Sequence, residues 1–301
     1  MKIAITGSSG LIGSSLVPAL RADGHSVVRL VRRPAQAADE IRWDPGRRQL
    51  DPGALNDVDA VVHLAGVGIG DRRWSSKQEA AVRGSRVDGT ETISEAIARA
   101  EPRPRTLVSA SAIGWYGDTG DREVDETAPA GSDILADVVV QWEASTAAAQ
   151  KAGVRVAHIR TGLVCGPKGG LLGRLLPLVK LGLGGRLASG RQYWSWISLP
   201  DEIGAIRHVL SHEDISGAVN LTGPSPVTNA DFIGTLGRLL HRPTVLPVPG
   251  FALRIVAGDF ADVGIIAGQR VVPRVLERTG YRFRHRTAEQ ALRWATRSKE
   301  K

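Results

Sequence analysis

The stretch that decides the fold is Lys2-Ile3-Ala4-Ile5-Thr6-Gly7-Ser8-Ser9-Gly10-Leu11-Ile12-Gly13. Its apolar, β-branched first half predicts a strand over residues 2–6, and residues 11–23 have the pattern of a helix. Between them lies a T-G-x-x-G-x-x-G sequence, at the point where the strand turns into the helix. This placement is typical of a loop that holds the diphosphate of a dinucleotide at a helix N-terminus. The predicted cofactor-binding residues of the loop are Gly7, Ser9, Gly10, Leu11 and Ile12.

The second predicted strand, residues 26–31, ends in Arg32 and Arg33. A protein that binds NAD usually has an acidic residue here, which accepts a hydrogen bond from the ribose 2′-hydroxyl. A guanidinium instead suits a 2′-phosphate, because it matches the phosphate in charge and in the geometry of its donors. We therefore expect NADP(H) as the cofactor, with Arg32 as the residue that selects it. The alternative is that both arginines only solvate the end of a strand.

Further outward, short apolar runs alternate with longer helical stretches, which predicts βαβ units and a parallel sheet. The expected fold is a Rossmann-type α/β domain, with a doubly wound parallel sheet, over residues 1–166. A smaller substrate lobe is expected over residues 167–301, with residues 201–225 returning to the first domain. Predicted strands cover residues 41–44, 59–64, 105–111, 154–160, 194–197 and 218–221, and predicted helices cover residues 75–99, 132–152, 201–210, 229–240, 272–279 and 287–296.

Two further segments are expected at the carboxyl ends of parallel strands, where such sheets bind their ligands. After the strand over residues 59–64, the backbone of Leu64, Ala65 and Gly66 is expected to lie against the cofactor, and His63 is expected in the core. The segment from Ser109 to Gly117 brings two hydroxyls to the same edge. Ser111 is the candidate to bond a substrate oxygen. Tyr116 is the candidate to transfer a proton, provided that a cationic neighbour lowers its pKa.

Composition restricts the class of protein. The chain has 301 residues, of which 42% are hydrophobic and 23% charged, the proportions of a globular protein. Its one cysteine, Cys165, excludes an internal disulfide and a cysteine-based zinc site, so we expect no metal and a reducing, cytoplasmic setting. Neither a secretory leader nor an apolar run long enough to span a membrane is evident. The net charge of +8 favours polyanions or phosphorylated small molecules as ligands.

Taken in order, these motifs resemble the extended branch of the short-chain dehydrogenase/reductase superfamily. The motifs on which this resemblance rests are the glycine loop, the D-x-V-x-H-x-A-G strand (residues 59–66), the Ser-Ala-Ser strand and the R-T-G-L-V-C-G-P segment (residues 160–167). Within it the chain is similar to NAD-dependent epimerase/dehydratase-like proteins with a C-terminal domain of unknown function. The features shared with that group are Arg73-Trp74, Lys77, Ser85-Arg86, Trp142-Glu143, residues 180–185, Ser195-Trp196-Ile197, residues 220–222, Gln269-Arg270-Val271 and Pro273.

The resemblance implies hydride transfer between NADP(H) and a hydroxyl- or carbonyl-bearing carbon, on a nucleotide sugar or another small substrate. One departure matters. The superfamily's catalytic Tyr-x-x-x-Lys falls on Leu135 and Val139, neither of which can transfer a proton. This leaves Ser111, Tyr116 and the more speculative Lys77 as polar candidates. A catalytically silent NADP(H)-binding sensor or partner-binding protein is therefore the alternative.

Two other segments bear on partners. Residues 198–201 lack the histidine and the extra aspartate that relatives tend to carry, which argues against a substrate role for them. Arginines crowd residues 270–297, but the segment lacks the interleaved aromatic side chains that stack on bases. A solvated basic face, or one that meets a phosphorylated substrate, is favoured over a nucleic-acid surface. The identity of the substrate and the oligomeric state are left open.

Overall fold

A computed structural model describes residues 1–70 and 73–297; the last four residues of the predicted lobe lie outside this range. The strands are β1 (Lys2–Thr6), β2 (Ser26–Val31), β3 (Glu40–Arg42), β4 (Ala60–His63), β5 (Thr106–Ala112), β6 (Glu123–Val124), β7 (Arg155–Thr161), β8 (Leu163–Cys165), β9 (Tyr193–Trp194), β10 (Trp196–Ser198), β11 (Gly217–Leu221), β12 (Val227–Thr228) and β13 (Arg270–Val271). The α-helices are α1 (Gly13–Ala22), α2 (Ser76–Arg99), α3 (Ile134–Ala144), α4 (Ala147–Lys151), α5 (Gly170–Lys180), α6 (Leu199–Ser211), α7 (Asn229–Leu240), α8 (Gly250–Ala257), α9 (Arg274–Arg278) and α10 (Ala288–Arg297).

A seven-stranded parallel sheet is the centre of the fold, in the order β11-β7-β5-β4-β1-β2-β3. The chain proceeds from β1 to β2 on one side and reaches β4 on the other, so the strand order reverses between β1 and β4. A crevice opens at such a point, at the carboxyl ends of the strands. The predicted doubly wound Rossmann-type fold is confirmed.

The two faces of the sheet are covered by helices, as a parallel sheet requires. One core cluster joins β1, α1 and α6 through residues such as Ile5, Leu16 and Ile206, and another joins β4 to α2 through residues such as Val61 and Ile93. A third cluster joins β10, α7 and α10 through Trp196, Phe232 and Leu292, which are fully buried. Within the described residues no helix is long and apolar enough to cross a membrane.

Two predicted elements are divided in the structure. The helix predicted over residues 132–152 breaks into α3 and α4, because Ser145 and Thr146 donate side-chain hydrogen bonds to the carbonyls of Gln141 and Glu143. The strand predicted over residues 194–197 breaks at Ser195, whose hydroxyl bonds the backbone of Gln269 and Val271. As a result β9 pairs with β12, whereas β10 pairs with β8.

The C-terminal segment is bonded back to the main domain. Its strand β13 pairs in parallel with β6. Asp201, buried in the first turn of α6, accepts hydrogen bonds from the amides of Arg284 (2.7 Å) and His285 (3.0 Å). Glu126 accepts them from the amides of Asn220 (2.9 Å) and Val275 (3.2 Å). Within residues 198–201, Ser198 thus caps α6 and Asp201 anchors the C-terminal segment.

Candidate functional site

A cleft of about 1190 Å³ lies at the carboxyl ends of β1, β2 and β4. Of the nine predicted cofactor-binding residues, seven line it, and they come from three separate segments of the chain. The seven are Gly7, Ser9, Gly10, Arg32, Leu64, Ala65 and Gly66. Leu11 and Ile12 are not among the lining residues, but they form the turn that leads from the cleft into α1.

The glycine loop can follow its path only because Gly7 and Gly13 have no side chain. Gly7 has φ +67°, and a Cβ there would lie 2.8 Å from the carbonyl of Leu64. A Cβ at Gly13 would collide with the carbonyl oxygen of Gly7, so the third glycine lets α1 pack closely on the loop. Gly10 donates its amide to Gly7 O at 3.0 Å, which closes the turn.

The start of α1 offers free donors to the cleft. In the part of the chain that the structure describes, the amides of Ser9, Leu11 and Ile12 have no acceptor, and no side chain caps the helix. Unpaired N–H groups at a helix N-terminus, together with the helix dipole, form an anion site. The residues present therefore fit the diphosphate of a dinucleotide.

The segment after β4 is held against this loop by Thr6. Its hydroxyl oxygen accepts hydrogen bonds from the amides of Leu64 (3.0 Å) and Ala65 (3.1 Å) and lies 2.8 Å from His63 Nδ1. His63 is fully buried beside Trp43, and burial lowers its pKa to about 4, so the ring is neutral at physiological pH. The prediction that His63 is a core residue is confirmed.

The two arginines after β2 have different roles. Arg33 donates to both carboxylate oxygens of Glu40, at 2.8 and 2.6 Å. Two hydrogen bonds lower the pKa of Glu40 to about 2, the larger effect coming from Arg33 and the smaller from the Gln36 amide. Glu40 and Arg33 therefore form an ion pair at neutral pH. Arg32 is exposed at the rim of the cleft, and within residues 1–70 and 73–297 no group pairs with it. Of these two arginines, Arg32 is thus the one whose guanidinium is available to a ligand.

Ser111 and Tyr116 lie in a buried polar network rather than in the lining of the cleft. Ser111 donates to Glu143 at 2.6 Å, and Arg160 donates to both oxygens of Glu143, at 2.8 and 2.9 Å. Arg160 also donates to the Tyr116 hydroxyl at 3.0 Å, and that hydroxyl donates to Asn220 Oδ1 at 2.7 Å. Every hydroxyl that was expected to face a substrate is thus engaged by protein groups.

The expected lowering of the Tyr116 pKa is not found. The cationic neighbour is present, since the Arg160 guanidinium lies 5.2 Å from the tyrosine ring and bonds its hydroxyl. Burial nevertheless dominates and raises the pKa of Tyr116 to about 12. The catalytic roles of Ser111 and Tyr116 stay predictions, and their contacts favour positioning over direct contact with a substrate.

The surroundings of Leu135 and Val139 are apolar. Both side chains are buried, and Leu135 packs in one cluster with Trp74, Val82 and Val138. Trp74 stacks on Phe260 from the C-terminal segment, with ring centroids 5.7 Å apart. Lys77 is exposed near the start of α2. In the superfamily this face of α3 carries the catalytic pair, and in this chain hydrophobic side chains cover it. The identities of residues 135 and 139 alone do not predict this covering.

Comparison with known proteins identifies the family to which a chain with this order of elements and this glycine-lined cleft belongs. Residues 3–222 match the model of the NAD dependent epimerase/dehydratase family. The chain belongs to this family. Its C-terminal part, residues 248–295, matches a second model, a domain of unknown function, DUF1731. The resemblance predicted from the motifs is confirmed.

Relatives of this family member cover nearly the whole chain. It is 51% identical over 294 residues to the epimerase family protein Mb2239 of Mycobacterium bovis, a match that covers 98% of this chain and 97% of the relative. The crystal structure of human epimerase family protein SDR39U1 (isoform 2) with NADPH is similar with a TM-score of 0.92 and 32% identity, and the match covers 99% of each chain. MoeE5 in complex with UDP-glucose and NAD, at 23% identity with a TM-score of 0.76 over both full chains, shares the fold.

Proposed function

We propose that this family member binds NADP(H) in the cleft between the glycine loop, the end of β2 and the segment after β4. The observation that carries the proposal is Arg32, an exposed guanidinium with no partner among the described residues, at the rim of that cleft. The diphosphate would be held by the free amides around Ser9, Leu11 and Ile12. Support also comes from the human relative, which was crystallised with NADPH.

The proposed activity is hydride transfer at a carbon that bears a hydroxyl or a carbonyl. NADP(H) supplies the hydride or accepts it. The protein's part is to orient the two ligands and to exclude water. A nucleotide sugar or another small carbonyl compound is the proposed substrate, because members of the same fold such as MoeE5 are described in complex with UDP-sugars and NAD. The single cysteine, buried and unpaired, fits the proposed cytoplasmic setting.

A second candidate function rests on Leu135 and Val139. With two buried aliphatic side chains at the positions of the catalytic pair, α3 provides neither a proton donor nor a cation. A protein that binds NADP(H) without turnover, as a redox sensor or as a partner-binding protein, would need neither. The two functions share the cofactor and differ only in turnover.

The experiment that tests the proposal is a titration of the purified protein with NADPH and with NADH, followed by nicotinamide fluorescence. The protein is then incubated with NADPH and a panel of carbonyl compounds and nucleotide sugars. We expect tighter binding of NADPH than of NADH, and absence of binding would refute the proposal. Oxidation of NADPH by a member of the panel would favour the enzyme, and binding without turnover would favour the sensor.

Tyr116→Phe separates the catalytic from the positioning role of Tyr116. If Tyr116 donates the proton, the variant loses turnover and keeps its NADPH affinity. If Tyr116 only positions its neighbours, turnover persists and the melting temperature falls, because the hydroxyl bonds to Asn220 and Arg160 are lost.

A further inference from the structure

Arg86, on α2, is a partly buried guanidinium that no carboxylate neutralises among the residues that the structure describes. Its Nη1 donates to the carbonyls of Val67 (3.0 Å) and Val82 (3.2 Å), and its guanidinium carbon lies 4.8 Å from the centre of the Trp142 ring. Burial lowers the pKa of Arg86 to about 10, so it is still cationic at pH 7. A partly desolvated cation without a counter-ion is less stable than one in water or in an ion pair, so its position at this interface points to an external partner.

Arg86 differs from Arg160 in having no carboxylate partner among the described residues. Arg160 is more deeply buried, and both oxygens of Glu143 accept its hydrogen bonds, at 2.8 and 2.9 Å. Arg86 has only two backbone carbonyls and an aromatic face. Its Nε and Nη2 groups have no acceptor in the described chain, yet neither is sealed from solvent. These two donors are available to an oxygen atom from outside the protein.

Arg86 lies directly behind the wall of the cleft. A Cβ added to Gly66 would lie 3.7 Å from Arg86 Nη1. Gly66, Val67 and the preceding residue on α2, Ser85, all line the cleft. The Ser85 hydroxyl accepts a hydrogen bond from the amide of Val67 at 3.1 Å, so two consecutive side chains of α2 hold this part of the wall.

The same guanidinium also borders the face of α3 that lacks the superfamily's tyrosine and lysine. Trp142 is three residues beyond Val139, nearly one turn along that face. Val82, whose carbonyl accepts from Arg86, packs in one cluster with Leu135 and Val138. A positive charge that α3 no longer supplies is therefore present at the α2–α3 interface.

We propose that Arg86 is the cation that binds the nicotinamide-side half of the dinucleotide, in the place of the missing lysine. This inference rests on the proposed binding of NADP(H). Oxygen atoms of the nicotinamide ribose and of the adjoining phosphate are acceptors that Nε and Nη2 can satisfy. Binding of the dinucleotide would then supply the acceptors that the protein itself does not provide.

The test compares two ligands that share the adenine half. NADPH and adenosine 2′,5′-bisphosphate are each titrated against the wild type, Arg86→Gln and Arg86→Lys. We expect Arg86→Gln to weaken NADPH binding about tenfold or more, the range for a lost charge-assisted hydrogen bond. Arg86→Lys should stay within a few-fold of the wild type, because it keeps the charge. The affinity for the bisphosphate should be the same in all three proteins.

The matched control is Arg83→Gln, which changes an arginine one turn earlier on α2. Arg83 is paired with Glu79 and Asp137 and does not line the cleft. The Arg83→Gln variant should therefore bind NADPH as tightly as the wild type. Thermal unfolding of each variant shows whether it is folded. Equal NADPH affinity of the glutamine and lysine variants would overturn the assignment, as would a parallel loss of affinity for the bisphosphate. Failure of the wild type to bind NADPH would instead refute the proposed function.

Discussion

Replacing Arg32 by alanine is the perturbation that most directly probes how the cleft selects its cofactor. The side chain is exposed and unpaired within the described residues, so its removal breaks no internal contact and leaves the stability of the fold unchanged. If Arg32 binds the 2′-phosphate as proposed, the variant loses one or two charge-assisted hydrogen bonds to it. Because water competes at an exposed site, we expect NADPH affinity to fall about tenfold, and at most about a hundredfold. Affinity for NADH should not change.

The matched control for Arg32→Ala is Arg33→Ala, the neighbouring residue with the same side chain. Both nitrogens of the Arg33 fork are already bonded to Glu40, so little of its capacity is available to a phosphate. The assay is fluorescence titration with NADPH and NADH at two salt concentrations, since a phosphate contact weakens as salt rises. An equal loss of NADPH and NADH affinity in Arg32→Ala, or a larger NADPH-specific loss in Arg33→Ala, would refute the reasoning.

Three further predictions concern the framework of the site. Gly13→Ala should weaken NADPH binding and lower the melting temperature, because the new Cβ meets the Gly7 carbonyl, whereas Gly173→Ala, in open space on α5, should be neutral or stabilising. Glu143→Ala should destabilise the protein by about 3 to 5 kcal/mol in denaturant titrations, because it leaves Arg160 buried and unpaired; a loss below about 1 kcal/mol would contradict this. Burial raises the pKa of Glu202 to about 8, so the folded state binds the proton more tightly than the unfolded state, and stability is lost as pH rises from about 4.5 to about 8. Glu202→Gln should therefore be more stable than the wild type at pH 9, by up to about 5 kcal/mol, and should show little difference at pH 4; equal stability of the two proteins at pH 9 would argue against it.

Local patterns predicted the parts of the fold that local chemistry determines. Strands β1 and β2 begin and end where the apolar runs do. The glycine loop connects β1 to α1, as the sequence predicted. Arg32 and Arg33 were indistinguishable by sequence, because what separates them is Glu40, a residue on a neighbouring strand. The side chain of Ser111 was expected in the crevice, but its direction depends on Glu143, 32 residues away on α3. Contacts of this kind depend on the packing of distant elements, which no spacing along the chain records.

The buried network connects α3, which has no catalytic pair in this chain, to the C-terminal segment. From Glu143 on α3, the hydrogen bonds run through Arg160 and Tyr116 to Asn220, whose side-chain amide donates to the carbonyl of Val272 at 3.0 Å. The tyrosine at the end of β5 is thus bonded into the family-specific C-terminal segment. On the other side of α3, Phe260 of the same segment stacks on Trp74, within the apolar cluster that contains Leu135. The C-terminal segment is thus connected to α3 in two ways, through this network and through the apolar cluster, and α3 has no cation at positions 135 and 139. In our proposal, α2 supplies the cation instead, in Arg86.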